Sequence, residues 1–565
     1  MSVSDVAATG MQLPLTSGQR AIWFDQLLHD DQPLYNMSGC MRIFGPLDRD
    51  RFTAACEELV RRNDVLRLVL RAGADLPTQE ILDAYVCDVR YIDLSATPAN
   101  EAWARDWLDE EIDKPLALFD RPLFEFALLK LSDDEYWWYH LYHHIILDAY
   151  GHSLLAAQLA SIYSGAIDES PPHPYVDYVR YDAAQQETDR WTADLAYWTE
   201  RFPTLPEPLV ERKAFGERIE HQRHVLTLER AFYNRINAFA ADVGVSTFHV
   251  LLGALYVCFT RAGSRNDFAV GLPTLNRPSA AFKATAGLFA NVTPAWFALG
   301  TDIAGVDLLK TIAAELRRDY RHQRIPLSEI NRCAGLYRDG RPQMFDLVMT
   351  YQKHSYDVLF DGHRVEQISL RHGLKTPLML EVSEYNEERD VSVNVDYSVS
   401  AFDRGDIVRF GALLETAIAA LIADRTLAVR DLPIGMTGPL TLGRAPATGA
   451  TTAAVPERTT LGSAAIEAML SGIWQSELAL ERVGLDDNIF DLGGHSLVLV
   501  RVAHRIAVEI GSTLSITQMF MYPTIRTLTA ALAGDARSGD VTASAQERGA
   551  ARRRRAAERA EDRSA

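Results

Sequence analysis

The sequence predicts a mixed α/β body joined through a polar spacer to a small all-α domain. Three observations carry this. Leu13 to Pro433 mix strand-like and helix-like apolar patterns without a long polar break. Gly435–Thr460 is rich in Gly, Ala, Thr and Pro and too poor in large apolar groups to bury much surface, so it reads as a flexible linker. Leu461–Gly534 is short and helical by pattern. At a prior of ~150 residues per domain, 565 residues allow about four units and a large core.

Composition narrows the function. Hydrophobic residues are 47% and charged residues 24%, which is ordinary for a globular chain. A net charge of -19 argues against nucleic acid as the main partner, since phosphate binding needs a basic footprint. The longest strongly apolar run, Val250–Phe259, falls short of the ~18 residues that span a bilayer, and no membrane partner is expected. The start, MSVSDVAATGMQ, lacks the basic and apolar regions of a signal peptide. Cys40, Cys56, Cys87, Cys258 and Cys333 fit neither a zinc site nor a redox pair, so a cytoplasmic protein with reduced thiols is expected. The P-loop, HExxH and GxGxxG motifs are absent, so ATP-driven activation is not expected on this chain.

Within the body, EYWWYHLYHHIILDAYGHSLL (Glu135–Leu155) carries the most chemistry. Tyr136–Ile146 is aromatic and β-branched, which predicts a buried strand. DAYG breaks it, and helical spacing runs from Ser153. Neighbouring strand residues point to opposite faces, so His143 and His144 cannot share a role: one can face a cavity while the other is held inside. Hydrogen-bonded core histidines are the plain alternative. His140 and His144 share a face, but no third ligand is close in sequence, so no metal site is expected. A neutral imidazole, with a pKa near ~6.5, can act as general base on an amine or hydroxyl.

HHIILDA resembles the HHxxxDG motif of nonribosomal peptide synthetase condensation domains. Flanking segments strengthen the resemblance in family order: LPLTSGQRAIWF (Leu13–Phe24), RRNDVLR (Arg61–Arg67), YVDYVRY (Tyr175–Tyr181), GLFANVTP (Gly287–Pro294) and HQRIPL (His322–Leu327). The resemblance implies a two-lobed chloramphenicol-acetyltransferase-like α/β fold over residues 1–434. Its lobes would cover about 12–182 and 183–434, with a tunnel for two carrier-bound thioesters at their junction. It implies that His144 faces the reacting centre, beside His143, and that Asp148 is structural and pairs with an Arg, matched here by Arg67. Ala149 stands where the family has Gly. Ala adopts positive φ poorly, so a shifted backbone N–H or a narrowed tunnel is expected, with Gly151 restoring flexibility.

In the small domain, DNIFDLGGHSL (Asp487–Leu497) is similar to the DxFFxLGGxS signature of peptidyl carrier proteins. Helices are expected at about Ala464–Leu480, from Ser496, briefly near Ile516–Met521, and near Thr524–Leu532, a four-helix bundle over 461–534. A lone Ser before a helix is ordinarily an N-cap. The resemblance instead implies 4'-phosphopantetheine carried on Ser496, at a helix N-terminus suited to phosphate. Asp486, Asp487 and Asp491 are either solvated loop charges or contacts for the modifying transferase.

Together the resemblances imply a condensation–carrier didomain of a secondary-metabolite (antibiotic-type) assembly line. It would form an amide between an acyl or peptidyl thioester from an upstream donor carrier and an amine on its own carrier. A separate adenylation enzyme would load that carrier, and a phosphopantetheinyl transferase would modify it. Ester formation, a free soluble amine as acceptor, or a silent recruitment platform are the alternatives. The polar end, 535–565, is Arg-rich: seven Arg against four acidic residues in 541–565 leave +3 there and -22 on the remainder. It reads as a solvated end or a docking segment.

Overall fold

A strand with large apolar or aromatic side chains on both faces must be covered on both. The computed structural model meets that demand for the segment Tyr136–His143. It describes residues 11–434 and 462–533, apart from 28–31, 74–75, 167–169, 210–220, 263–266, 337–342, 353–358, 369, 371–375, 385–387, 491, 493, 495, 511–513, 515–517 and 520–521. The expected linker and Arg-rich end lie outside the described residues.

In the first half of the chain the strands are β1 (Leu13–Pro14), β2 (Asn36–Phe44), β3 (Leu68–Arg71), β4 (Thr78–Ile81), β5 (Val89–Asp93), β6 (Phe124–Ser132) and β7 (Glu135–His143). In the second half they are β8 (His221–Leu228), β9 (Phe268–Thr274), β10 (Asn291–Phe297), β11 (Leu347–Gln352), β12 (Val365–Ile368), β13 (Leu378–Ser383) and β14 (Val391–Ser398). The first large sheet runs β12-β2-β7-β6-β5, with a small β1-β4-β3 sheet nearby. Central strand β7 sends Trp138 and Tyr142 into a core shared with α2 (Arg49–Arg62) and α4 (Ala149–Tyr163). Its other face sends Trp137, Tyr139 and Leu141 beneath α3 (Asn100–Ile112). α1 (Ser17–Leu27) lies beside this lobe's first strand.

The second lobe is built on the sheet β10-β9-β11-β13-β14-β8, in which β11 is parallel to both β9 and β13. Alternate residues Leu378, Leu380 and Val382 of β13, and Val391, Val393 and Val395 of β14, pack onto the helices Thr247–Ala262 and Arg404–Ala423. The apolar run Val250–Phe259 is thereby spent on this core. Among the described residues no single helix is long and apolar enough to cross a membrane. The lobes are not wholly contiguous in sequence: β12, from the second half, pairs antiparallel with β2 and covers that edge of the first sheet.

Two sequence-based boundaries shift. The strand stops at His143, not Ile146, because the Ile146 N–H turns back to the His143 carbonyl at 3.0 Å. The helix starts at Ala149, not Ser153. Asp148 is extended (φ -106°, ψ 171°) and its carboxylate accepts the Gly151 N–H, so DAYG is a cap and first turn rather than a break. The small domain has helices Ser463–Leu478, Ser496–Glu509 and Ile525–Ala533 around Ile466, Leu470, Trp474, Leu499, Val502 and Leu528. Most of the expected short third helix lies outside the described residues.

Candidate active site and carrier serine

The histidine turn sits where the two lobes meet. His143 ends β7 and is 2% exposed. Its Nδ1 accepts the Ile145 N–H at 3.2 Å, which puts its ring proton on Nε2. His144 begins the turn and is only partly buried. Its N–H donates to the Tyr35 carbonyl at 2.8 Å, and Gln19 Nε2 donates to the Ile145 carbonyl at 3.2 Å. The neighbouring histidines thus have different surroundings, one enclosed and one reachable. His140, further back along β7, is fully buried, with its Nε2 2.6 Å from His152 Nε2 of α4. Burial, and then His152, hold the His140 imidazole well below its ordinary titration range.

Asp148 fixes the far end of the turn, and its partner is Arg277 rather than Arg67. Arg277 donates to both carboxylate oxygens, at 2.7 Å and 3.1 Å, and the two side chains are 0% and 2% exposed. The same carboxylate accepts the N–H groups of Gly151 (2.7 Å), Phe289 (3.0 Å) and Ala290 (3.0 Å). Five donors satisfy one buried anion, and of the four residues supplying them Arg277, Phe289 and Ala290 lie more than 100 residues further along the chain. Arg67 is spent on the carbonyls of Val60, Leu82 and Asp83, where it ties down the end of its own short helix. Arg67 stands in a motif-like segment. Arg277, 129 residues from Asp148, carries no local signal.

The segments that carry the resemblance meet in space. Asp64, from RRNDVLR, accepts the N–H groups of Tyr175 and Val176 at 2.8 Å and 3.0 Å. Tyr175 Oη donates to the Leu288 carbonyl at 2.9 Å. A Cβ on Gly287 would come within 2.2 Å of the Tyr175 ring, so only Gly fits there. The Gly287 carbonyl accepts the Asp148 N–H at 3.1 Å, and Asn291 Nδ2 reaches the carbonyls of Gln323 and Ile325 at 2.8 Å and 2.6 Å.

Ala149 is the first residue of α4 and is exposed; it is not among the residues with positive φ. The expected strain is therefore corrected: a helical position suits Ala as well as Gly. Gly151 is corrected too. It is helical and buried, and a Cβ there would lie 3.0 Å from Gly287 N and 3.1 Å from Gly287 O, so it serves close packing rather than flexibility.

In the small domain Ser496 is the first residue of a 14-residue helix. A buried Gly494 precedes it, where a Cβ would meet the Ile489 carbonyl oxygen at 2.6 Å. This loop-to-helix junction fits a phosphodiester, because the first peptide N–H groups and the helix dipole favour an anion. Asp486 pairs with Arg526 at the surface, and Asp487 accepts the Gly484 N–H at 2.7 Å. Asp491 lies outside the described residues.

Residues 10–435 match the model of the Condensation domain, and residues 470–532 match the Phosphopantetheine attachment site. The dimodular nonribosomal peptide synthase of Bacillus subtilis (strain 168) is 26% identical over 419 residues, 72% of this chain and 18% of that protein. The isonitrile lipopeptide synthase of Streptomyces coeruleorubidus is 27% identical over 430 residues, 73% of this chain and 29% of that protein. The chain thus spans a minor part of the curated relatives' length. Among solved structures, the first condensation domain of the CDA synthetase aligns with a TM-score of 0.67 at 22% identity, over 77% of this chain and 100% of that one. The starter condensation domain of rhizomide synthetase gives 0.65 at 24%, over 75% and 99%. These alignments share the two-lobed fold described above, and with the family match they show that the chain belongs to the condensation-domain family and carries a phosphopantetheine attachment domain after it.

Proposed function

We propose that the chain is a condensation–carrier unit of a nonribosomal peptide assembly line, with His144 as the group that handles the acceptor's proton. The observation that carries this is the histidine turn. A reachable imidazole is held between an enclosed His143 and a helix start that Asp148 and Arg277 pin across the lobes. The acceptor amine attacks the donor carbonyl, a C–N bond forms and the donor's C–S bond breaks. The amine's proton passes to His144 and the departing sulfur leaves as thiol once reprotonated.

Ser496 is the proposed attachment residue. When bound, the phosphopantetheine arm supplies a thiol that holds an aminoacyl group as a thioester. The helix beginning at Ser496 packs Val500 against the first lobe's core, which supports this carrier delivering to the chain's own site. A condensation segment followed by a carrier, with no adenylation segment between, calls for loading by an adenylation enzyme, alongside an upstream donor carrier and a phosphopantetheinyl transferase. A cytoplasmic location suits those partners.

The test is intact mass. Incubation with coenzyme A, Mg²⁺ and a phosphopantetheinyl transferase adds one arm to the wild type and none to Ser496→Ala. A Ser496→Ala protein that gains the mass overturns the assignment.

A further inference from the structure

We infer that Asp25 and Tyr35 form a positioning dyad that orients His144 without touching substrate; this rests on the reading that His144 acts on the acceptor. Asp25 lies near the end of α1 and Tyr35 immediately precedes β2, with 28–31 between them. The Tyr35 hydroxyl donates to Asp25 Oδ2 at 2.5 Å, a short charge-assisted bond. Tyr35 is 4% exposed. Burial and the charge of Asp25 both push its phenol up, so it stays a donor at any working pH.

Tyr35 meets the histidine turn in three ways. Its carbonyl accepts the His144 N–H at 2.8 Å. Its ring stands nearly perpendicular to the His144 ring, at 77° and 6.3 Å between centroids, and lies 5.9 Å from the His143 ring. Its neighbour Asn36 is the register partner of His143, and Asn36 is itself locked by bonds to the carbonyls of Ile112 and Lys114. The backbone beside Tyr35 is therefore fixed by the sheet, whereas the ring that borders His144 is fixed at its far end by Asp25. α1 holds the turn twice: Gln19 directly at Ile145, and Asp25 through Tyr35 at His144. An imidazole rotated away from the amine loses its proton-transfer geometry, so a polar anchor one residue removed has kinetic weight.

The experiment uses the full chain with a leucyl group on its own carrier and octanoyl-CoA as donor probe, comparing Tyr35→Phe, Asp25→Leu and Asp25→Asn. Each chain reacts once, and Tyr35→Phe and Asp25→Leu are expected to lower the limiting single-turnover rate constant by about 10-fold or more, with little change in the donor concentration that half-saturates it. Asp25→Asn, which keeps an acceptor oxygen, recovers much of the loss. In parallel, isotope-labelled histidine ring signals, assigned through His144→Ala, are expected to shift for His144 in Tyr35→Phe while the melting temperature holds. An unchanged single-turnover rate constant and unchanged His144 signals overturn the dyad. If the probe gives no turnover, the ring signals alone decide it. Normal turnover in His144→Ala instead overturns the role of His144, and leaves the ring signals to decide whether the dyad orients that side chain.

Discussion

Replacing Arg277 with Ala strips two charge-assisted bonds from a carboxylate that is 2% exposed. Three peptide N–H donors remain on Asp148, so the anion is not abandoned, but its compensating charge is gone. Breaking a buried pair from one side costs about 3–5 kcal/mol. Asp148→Ala costs a similar amount, since it leaves Arg277 charged at 0% exposure and orphans the three peptide donors. The double variant removes both charges, so its cost falls short of the sum, with a coupling of about 2–3 kcal/mol. Arg67 serves as the control. Its bonds go to three carbonyls, so Arg67→Ala loses its own contacts but couples to Asp148→Ala by no more than about 0.5 kcal/mol. Urea unfolding followed through the fluorescence of buried Trp137 and Trp138 reads these differences. A coupling to Arg67 as large as that to Arg277 refutes the assignment of the ion pair.

Three other outcomes follow from the geometry. The unfolded chain protonates His140 below about pH 6.5 whereas the folded site resists, so stability falls as pH drops below that point, by about 1.4 kcal/mol per unit from this site. An acid limb equally steep in His140→Gln contradicts this. Gly151→Ala drives a methyl against the Gly287 backbone and costs about 1–3 kcal/mol, while Gly472→Ala, with nothing within 4 Å, stabilises its helix by about 0.5–1 kcal/mol; thermal unfolding distinguishes them. Ala149→Gly leaves turnover unchanged, because the backbone there is already helical and the side chain is exposed; a clear rise or fall in turnover counts against this reading.

What could be read from the sequence was what is local. Alternating aromatic residues in Tyr136–His143 mark a strand covered on both sides, and opposite-facing neighbours separate His143 from His144. The apolar period after Ser496 marks a helix by itself. What could not be read depends on the chain's return from far away. Nothing near Arg277 announces that it meets Asp148, and nothing in Val365–Ile368 says that this strand joins a sheet assembled from the other half. Asp148 as a helix cap was legible in principle, since an acidic residue before an apolar helical run is a common start signal. Gly is a poor helix former, so DAYG reads in the sequence as a break. The lack of a side chain at Gly151 instead lets Gly287 approach.

The most direct measurement is product formed on the chain's own carrier. With the arm installed on Ser496 and an aminoacyl group loaded, a donor thioester is added and the intact protein is weighed. The wild type is expected to gain the mass of the donor acyl group less the hydrogen it replaces, and His144→Ala to gain none, with both proteins equally folded. An equal increase in His144→Ala contradicts it.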